Sequence, residues 1–240
     1  LNRPQLAVQT SDDFYQTAAD AKAAVTAVYN YFQMYDFEVS KFEFGDIASD
    51  DAEKGGESDN DRPFVKDLEY FRALSDNYSC LVLWKICYKA IYQVNYALEN
   101  ISPIEMDDNL KEQYCAELRF IRAHFYFFLV NIYGEVPLIT QVLSSTDYNQ
   151  PKATRSDVWK LIETDLIFAR DHLPLKSKYD VSDLGRITKG AAQALLANTY
   201  LFQKKWALAE AQADEIIRSN EYQLEPEFKE IGRASCRERV

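Results

Sequence analysis

The segment from Asp107 to Tyr133 constrains this chain more than any other. Tyr114, Leu118, Ile121, Phe125, Phe128 and Ile132 fall on one helical face, and towards the end of the segment apolar residues surround the helix axis. A helix greasy on all sides must be enclosed by others, so the spacing predicts a central, buried helix. Gly134 stops it and Pro137 follows three residues on, the usual order of stop signals.

The rest of the pattern is also helical. Thr17-Ala-Ala-Asp20 is a capping box with Asp in place of Glu, and Ala21, Ala24, Val25, Val28 and Phe32 continue at helical spacing, predicting a helix from about Ala18 to Tyr35. Upstream, Ser11-Asp12-Asp13 offers caps for a short turn at Phe14 and Tyr15. Leu81, Trp84, Tyr88, Ile91, Asn95 and Leu98 mark an amphipathic helix within 77–100. It ends before Ser102-Pro103. Thr154 opens another that runs to Leu173. Thr188 begins an Ala-rich helix through Phe202, and a Lys204-Lys205 turn leads to a helix from Trp206 through Ser219. The last two read as a tetratricopeptide-like pair at about 188–219, in which small Ala side chains allow close packing. One pair cannot bury its own face and must stack on the earlier helices. Residues 36–61 are turn- and charge-rich and read as loop, continued by Arg62-Pro63. Phe64 to Leu74 holds a short helix or turn, and 138–151 is a long linker. Only seven Gly and seven Pro in 240 residues disfavour a many-turned β-sandwich. The expected fold is all-α, with antiparallel helix pairs and long loops.

Charge and composition remove several functions. The net charge of −11 repels a phosphate backbone, so nucleic acid is excluded as a partner, whereas neutral ligands such as sugars are compatible with it. No run of 18 apolar residues is available to span a membrane. Cys80 and Cys87 lie seven residues apart, roughly 10 Å along a helix and too far for a disulfide. No cysteine spacing reads as a zinc site, and Cys80, Cys87 and Cys115 read as small apolar residues. No cofactor is expected. The chain starts at Leu1 without an initiator Met or signal peptide, as a processed or trimmed chain does. Its last ten residues, Ile231-Gly-Arg-Ala-Ser-Cys-Arg-Glu-Arg-Val240, shift to basic and small residues. They resemble a translated sequencing adapter residue for residue. Residues 1–230 are therefore taken as the helical domain and 231–240, with Cys236, as a non-native tail.

Four stretches together carry a family resemblance. They are Ser11-Asp-Asp-Phe-Tyr-Gln-Thr-Ala-Ala-Asp-Ala21 through Tyr29, Trp84-Lys-x-x-Tyr88-x-x-Ile91-x-x-x-Asn95, Glu117-Leu-Arg-Phe-Ile-Arg-Ala-His through Tyr133-Gly-Glu-Val-Pro-Leu138, and Gly185-Arg186-Ile-Thr-Lys-Gly190-Ala-Ala-Gln-Ala-Leu-Leu-Ala197. In order, they resemble the first helix, the second helix, the FLRA…YG-x-VPL motif and the GR-x-TKGAA motif of the RagB/SusD family. The chain thus resembles the N-terminal half of a SusD-like outer-membrane nutrient-binding lipoprotein. That resemblance implies a SusD-like α-α superhelix that captures oligosaccharide without catalysis. It further implies an outer-leaflet lipid anchor, whose Cys would precede Leu1, on a Bacteroidetes-type outer membrane. The implied partner is a SusC-like TonB-dependent barrel that receives the glycan. The competing reading is a tetratricopeptide-type scaffold for protein–protein interaction.

Sugar recognition needs an aromatic face for the apolar side of the ring, with amide or carboxylate groups for its hydroxyls. Loops on a rigid scaffold are the natural carriers. The loop before the second long helix supplies Tyr70, Phe71, Asp76, Asn77 and Tyr78. The earlier loop supplies Phe42, Phe44, Asp46, Asp50 and Asp51. Phe44, Asp46, Asp50, Asp51, Tyr70, Phe71, Asp76, Asn77 and Tyr78 are the ligand-binding candidates. Asp46, Asp50, Asp51, Asp59 and Asp61 could offer oxygens to Ca²⁺ but lack EF-hand spacing, and a solvated acidic loop is the simpler reading. Trp84, Trp159 and Trp206 fall on apolar helical faces and read as core. His124 and His172 are two histidines without a third ligand, and read as core or surface residues. Glu117, Arg119, Arg122 and Glu135 read as structural rather than as a hydrolase pair. Arg186 and Lys189, ahead of the Ala-rich helix, could suggest an anion site, but ion pairing that fixes the helix start is the simpler reading.

Overall fold

The computed structural model describes residues 14–224 except Asp50 and Asp59. Ser11, Asp12, Asp13, the 231–240 tail and Cys236 lie outside the described residues. Eight α-helices make up the described part: α1 (Ala18–Tyr29), α2 (Tyr35–Phe42), α3 (Pro63–Glu69), α4 (Tyr78–Ile101), α5 (Asp108–Tyr133), α6 (Arg155–His172), α7 (Lys189–Phe202) and α8 (Trp206–Ser219). Among the described residues there is no strand, only an isolated antiparallel bridge between Pro137 and Lys152.

As its all-round apolar character requires, α5 is the hub. It packs against α1, α4, α6 and α7, and Leu118, Ile121, Phe125, Tyr126, Leu129 and Val130 are fully buried. From α5 onward the chain stacks helix on helix, α6 on α5, α7 on α6 and α8 on α7. The α7–α8 hairpin turns at Lys204, whose φ is +59°. In α7 the Gly190 backbone lies against the Tyr222 ring, which a Cβ would meet head-on. Tyr222 also shares a 2.6 Å hydrogen bond with Thr188, the α7 cap.

The front of the chain departs from the sequence reading. The Thr17/Asp20 capping box forms as expected. The helix, however, does not continue to Tyr35. It tightens into a 3₁₀ turn at Asn30–Gln33 and breaks at Met34, whose ψ of 132° is extended. The chain then re-enters a helix, α2, and a π-helical turn at Glu43–Ile47, where a loop is expected from the charge. The break redirects the chain so that Phe37 is wholly buried against Phe125 and Phe128 of α5. Arg62-Pro63 is also not loop throughout, because Pro63 takes the first position of α3, where its missing N–H costs nothing. Trp84 and Trp159 are half-buried in ring clusters, with Tyr88 and Tyr133 for one and Phe127 and Phe202 for the other. Trp206 is not core. It is 61% exposed on the first turn of α8, although Ala209, one turn on, is buried.

Two buried ionic clusters lock this packing. Arg122 on α5 makes a bidentate pair with Asp165 on α6 at 2.8 and 2.9 Å. Its other arm donates to Asn95 Oδ1 on α4 at 2.9 Å and to the Thr140 carbonyl at 3.4 Å. Asn95 in turn donates to the carbonyls of Ile139 and Gln141. Glu117 on α5 is fully buried and accepts from Arg186 at 2.8 Å, from Tyr29 on α1 and from Gln113. Arg186 also donates to Asp183 and to Thr26, while Lys22 pairs with Asp183. Arg186 thus ties α1 and α5 to the residues just before α7, as an ion pair fixing a helix start should.

Removing one member of a buried pair strands the other charge, at a cost of roughly 3–5 kcal/mol. Arg122→Met is therefore expected to lower unfolding stability by about that much in urea titrations. Arg122→Met with Asp165→Leu should recover much of the loss. Equal instability of the single and double variants would show that the pair does not carry the packing.

Candidate functional site

Several exposed aromatic residues lie around the start of α4. Asn77 caps that helix, accepting from the N–H groups of Ser79 (3.0 Å) and Cys80 (3.4 Å) and donating to the Phe64 carbonyl of α3 at 2.9 Å. A cap of this kind satisfies donors that the first helical turn leaves open. It also fixes α3 relative to α4, so the connection between them is held at both ends. Within it, the Phe71 N–H donates to the Leu68 carbonyl, Arg72 donates to the Asp67 carbonyl and carboxylate, and the Asn77 N–H donates to the Leu74 carbonyl.

That anchoring displays side chains outward. Phe71 has φ of +52°, a left-handed conformation that bulky residues seldom adopt, and its ring is 80% exposed. Tyr78 is 59% exposed and leans on Phe64 with ring centroids 5.2 Å apart. Asp76 is exposed between them. Tyr70 is exposed too, but the Lys66 and Arg72 cations lie over its ring at 5.6 and 5.3 Å. The structure thus places Tyr70, Phe71 and Asp76 on one short anchored connection, with Tyr78 on the first turn of α4. Asn77 belongs to the same stretch but is only 6% exposed, with its amide committed to the cap. In this fold its side chain serves the cap.

The other candidates divide. Phe44 is half-buried and packs against the core. Asp46 is exposed, and its carbonyl takes both the backbone N–H and the hydroxyl of Ser49. Asp51 is exposed, with its N–H donating to the Ser49 hydroxyl. Asp50 lies outside the described residues. The π-helical turn carrying Phe44 and Asp46 packs on α3, and buried Glu43 receives Arg62 at 2.6 Å. Glu43 and Arg62 were not singled out from the sequence. An acid inside an acidic stretch gives no signal that it, unlike its neighbours, turns inward. Among the described residues no group of three or more His, Cys, Asp or Glu is placed to hold a metal ion.

His124 is ringed by Phe32, Phe37, Phe120, Phe125 and Phe128. Burial, with a smaller contribution from Lys41, pushes its pKa down to about 4. It is a neutral packing residue at ordinary pH. Burial likewise pushes the Glu117 carboxyl upward, against the pull of Tyr29 and Arg186. The groups with the most perturbed titration therefore lie inside the scaffold and not in the exposed loop.

An α-helical stack that spends its buried polar groups internally and displays rings on anchored loops defines a scaffold of the binding-protein class. The chain belongs to the SusD-like family. Residues 9–201 match the family profile described as starch-binding and associating with the outer membrane. The chain is 26% identical over 238 residues to SusD-like protein P2 of Formosa agariphila, covering 96% of this chain and 46% of that protein. A solved laminarin-binding SusD-like protein is similar with a TM-score of 0.76 and 30% identity, over 84% of this chain and 44% of that one. Surface glycan-binding protein A from Bacteroides uniformis shares the fold, with a TM-score of 0.81 at 24% identity over 90% of this chain and 49% of that one. The chain spans less than half the length of these relatives. Among the described residues no helix is long and apolar enough to cross a membrane.

A histidine with a depressed folded-state pKa binds its proton in the unfolded chain first. Its contribution is complete above the unfolded value of about 6.5 and is lost as pH falls towards 4. The loss of stability between pH 7.5 and 5, from urea midpoints, should be smaller in His124→Leu than in the wild type. An identical loss in both proteins would place His124 in water.

Proposed function

We propose that this protein captures oligosaccharide at the outer face of an outer membrane and passes it to a SusC-like TonB-dependent barrel, without chemical change to the glycan. The observation that carries this reading is the anchored loop 70–78. Phe71 and Tyr78 offer exposed ring faces for the apolar side of a sugar, and Asp76 offers an acceptor for its hydroxyls. Support comes from the family's starch-binding description and from the relative that binds laminarin. In this reading residues 1–230 act as one helical domain with α7–α8 as its tetratricopeptide-like pair, the 231–240 tail is non-native, and the protein is held to the membrane by a lipid anchor alone. Asp46, Asp50 and Asp51 are kept in this reading as further candidate acceptors for sugar hydroxyls. No cofactor takes part.

Glycoside hydrolysis requires two carboxyl groups facing one bond at a set separation. Buried Glu117 and Asp165 are each saturated by an arginine.

Isothermal titration of a panel that includes starch and laminarin oligosaccharides should show weak binding that changes little with salt, because the interaction is not between charges. Phe71→Ala and Tyr78→Ala should each weaken it about 3- to 10-fold, the equivalent of roughly 0.5–1.5 kcal/mol per lost ring contact. No heat with any member of the panel would end the proposal.

A further inference from the structure

A second place on the molecule has the chemistry of a sugar site and lies on a different part of α4. The chain leaving α5 runs back along this helix and is strapped to it. Tyr88 donates to the Pro137 carbonyl at 2.7 Å. Tyr126 accepts from the Ile139 N–H at 2.6 Å. Asn95 donates to the Ile139 and Gln141 carbonyls at 3.1 and 3.3 Å, and the Val142 N–H donates to Glu99 at 2.7 Å. Farther on, a turn closes from the Asp147 N–H to the Ser144 carbonyl, with the Ser144 hydroxyl on the Asp147 carboxylate.

Between α4 and this strap lies a cleft of about 260 Å³. Its floor is Ile91, Ile139 and Leu143. Tyr92, on α4, and Tyr148, on the strap, stand at its sides and are 47% and 70% exposed. Gln141 is exposed at the rim with its backbone carbonyl already held by Asn95. None of the lining residues is charged. Tyr92 is braced from behind by a stacked Tyr96, with centroids 6.1 Å apart and planes at 22°.

We infer that this cleft is a second glycan subsite, taking one ring of a neutral sugar chain between Tyr92 and Tyr148 with the Gln141 amide on its hydroxyls. Three features select that ligand class. An uncharged lining on a chain of net charge −11 gives an anion no partner. Paired tyrosines present flat apolar faces with polar edges, which suits a ring that is apolar on its faces and hydroxylated at its edge. The 137–142 part of the strap is fixed before ligand arrives, because its carbonyls and N–H groups are bonded to α4 and α5, so less ordering entropy opposes binding. Two subsites on one rigid body would let a long glycan bind at both and gain by effective concentration.

The inference rests on the glycan-binding reading of loop 70–78, and its test separates the two. Titrations of short and long members of the glycan panel are run on the full chain, on Tyr92→Ala/Tyr148→Ala, on Phe71→Ala/Tyr78→Ala and on all four changes together. Thermal melts confirm that each variant is folded, and Tyr92→Phe/Tyr148→Phe supplies a ring-retaining control. The cleft variant should lose roughly tenfold or more in affinity for long glycans and little for short ones bound at the loop. The loop variant should keep residual binding that vanishes when the cleft changes are added, and the Phe control should behave as wild type. Unchanged titration of the cleft variant with all lengths overturns the cleft and leaves the loop standing. Loss in the cleft variant alone upholds the cleft and removes the loop. No glycan binding by the wild type overturns both, and binding of a protein at the cleft without any sugar overturns the cleft as a glycan site.

Discussion

The bidentate pair between Arg122 and Asp165 is the interaction on which the rest of the structure depends. Neither group can be left alone where it sits, since a lone buried charge costs several kcal/mol. The pair is completed by Asn95, so α4, α5 and α6 meet at one guanidinium. Because Asn95 also holds the backbone after α5, the same centre sets the path of the strap that lies along α4. The helix register and the position of an exposed segment are thus fixed by a single charge that has only one way to be satisfied.

The second cluster extends this control to the ends of the stack. Glu117 lies on α5 between Tyr29 of α1 and Arg186 before α7, and Tyr29 also accepts from the Ile187 N–H at 2.9 Å. Hydrophobic faces alone would let helices slide or rotate against one another at little cost, since apolar packing is not directional. Charged hydrogen bonds between three separate segments remove that freedom. Gly190 adds a steric condition, because only a residue without a side chain lets Tyr222 close over the start of α7.

Much of this was legible in the sequence, and the reasons for success and failure are specific. The long helices α4 to α8 were readable because each has a sustained apolar stripe and explicit ends, such as Thr154, Thr188 and Gly134. The α1–α2 break was not, since it depends on Phe37 reaching α5, a contact 88 residues away that no local spacing encodes. Trp206 illustrates a limit of periodicity, which reports that an apolar stripe exists and not that a neighbour covers it. Asn77 illustrates another: an Asn before a helix is both a fitting cap and a fitting sugar ligand, and only the bonds to Ser79, Cys80 and Phe64 separate the two. In the candidate loop, the rings of Phe71 and Tyr78 were identifiable by residue type and loop position. The cations over Tyr70 come from Lys66 in α3 and Arg72 in the loop, and only the folded chain places them on its ring.

The family motifs therefore describe the scaffold more than the ligand. Asn95, Glu117, Arg122, Tyr126 and Arg186 all lie in motif stretches, and the hydrogen bonds of each join parts of this chain to one another. Residues so engaged cannot change without cost, whereas Phe71, Asp76 and Tyr78 are held by the backbone around them and contribute little packing of their own. Ring identity at these positions can thus be exchanged at a stability cost typical of the surface, within about half a kcal/mol. The fold itself persists at 30% identity, with a TM-score of 0.76 to the solved laminarin-binding relative. In the proposed reading, the side chains offered to sugar and those that hold the stack are separate sets, joined through the Asn77 cap.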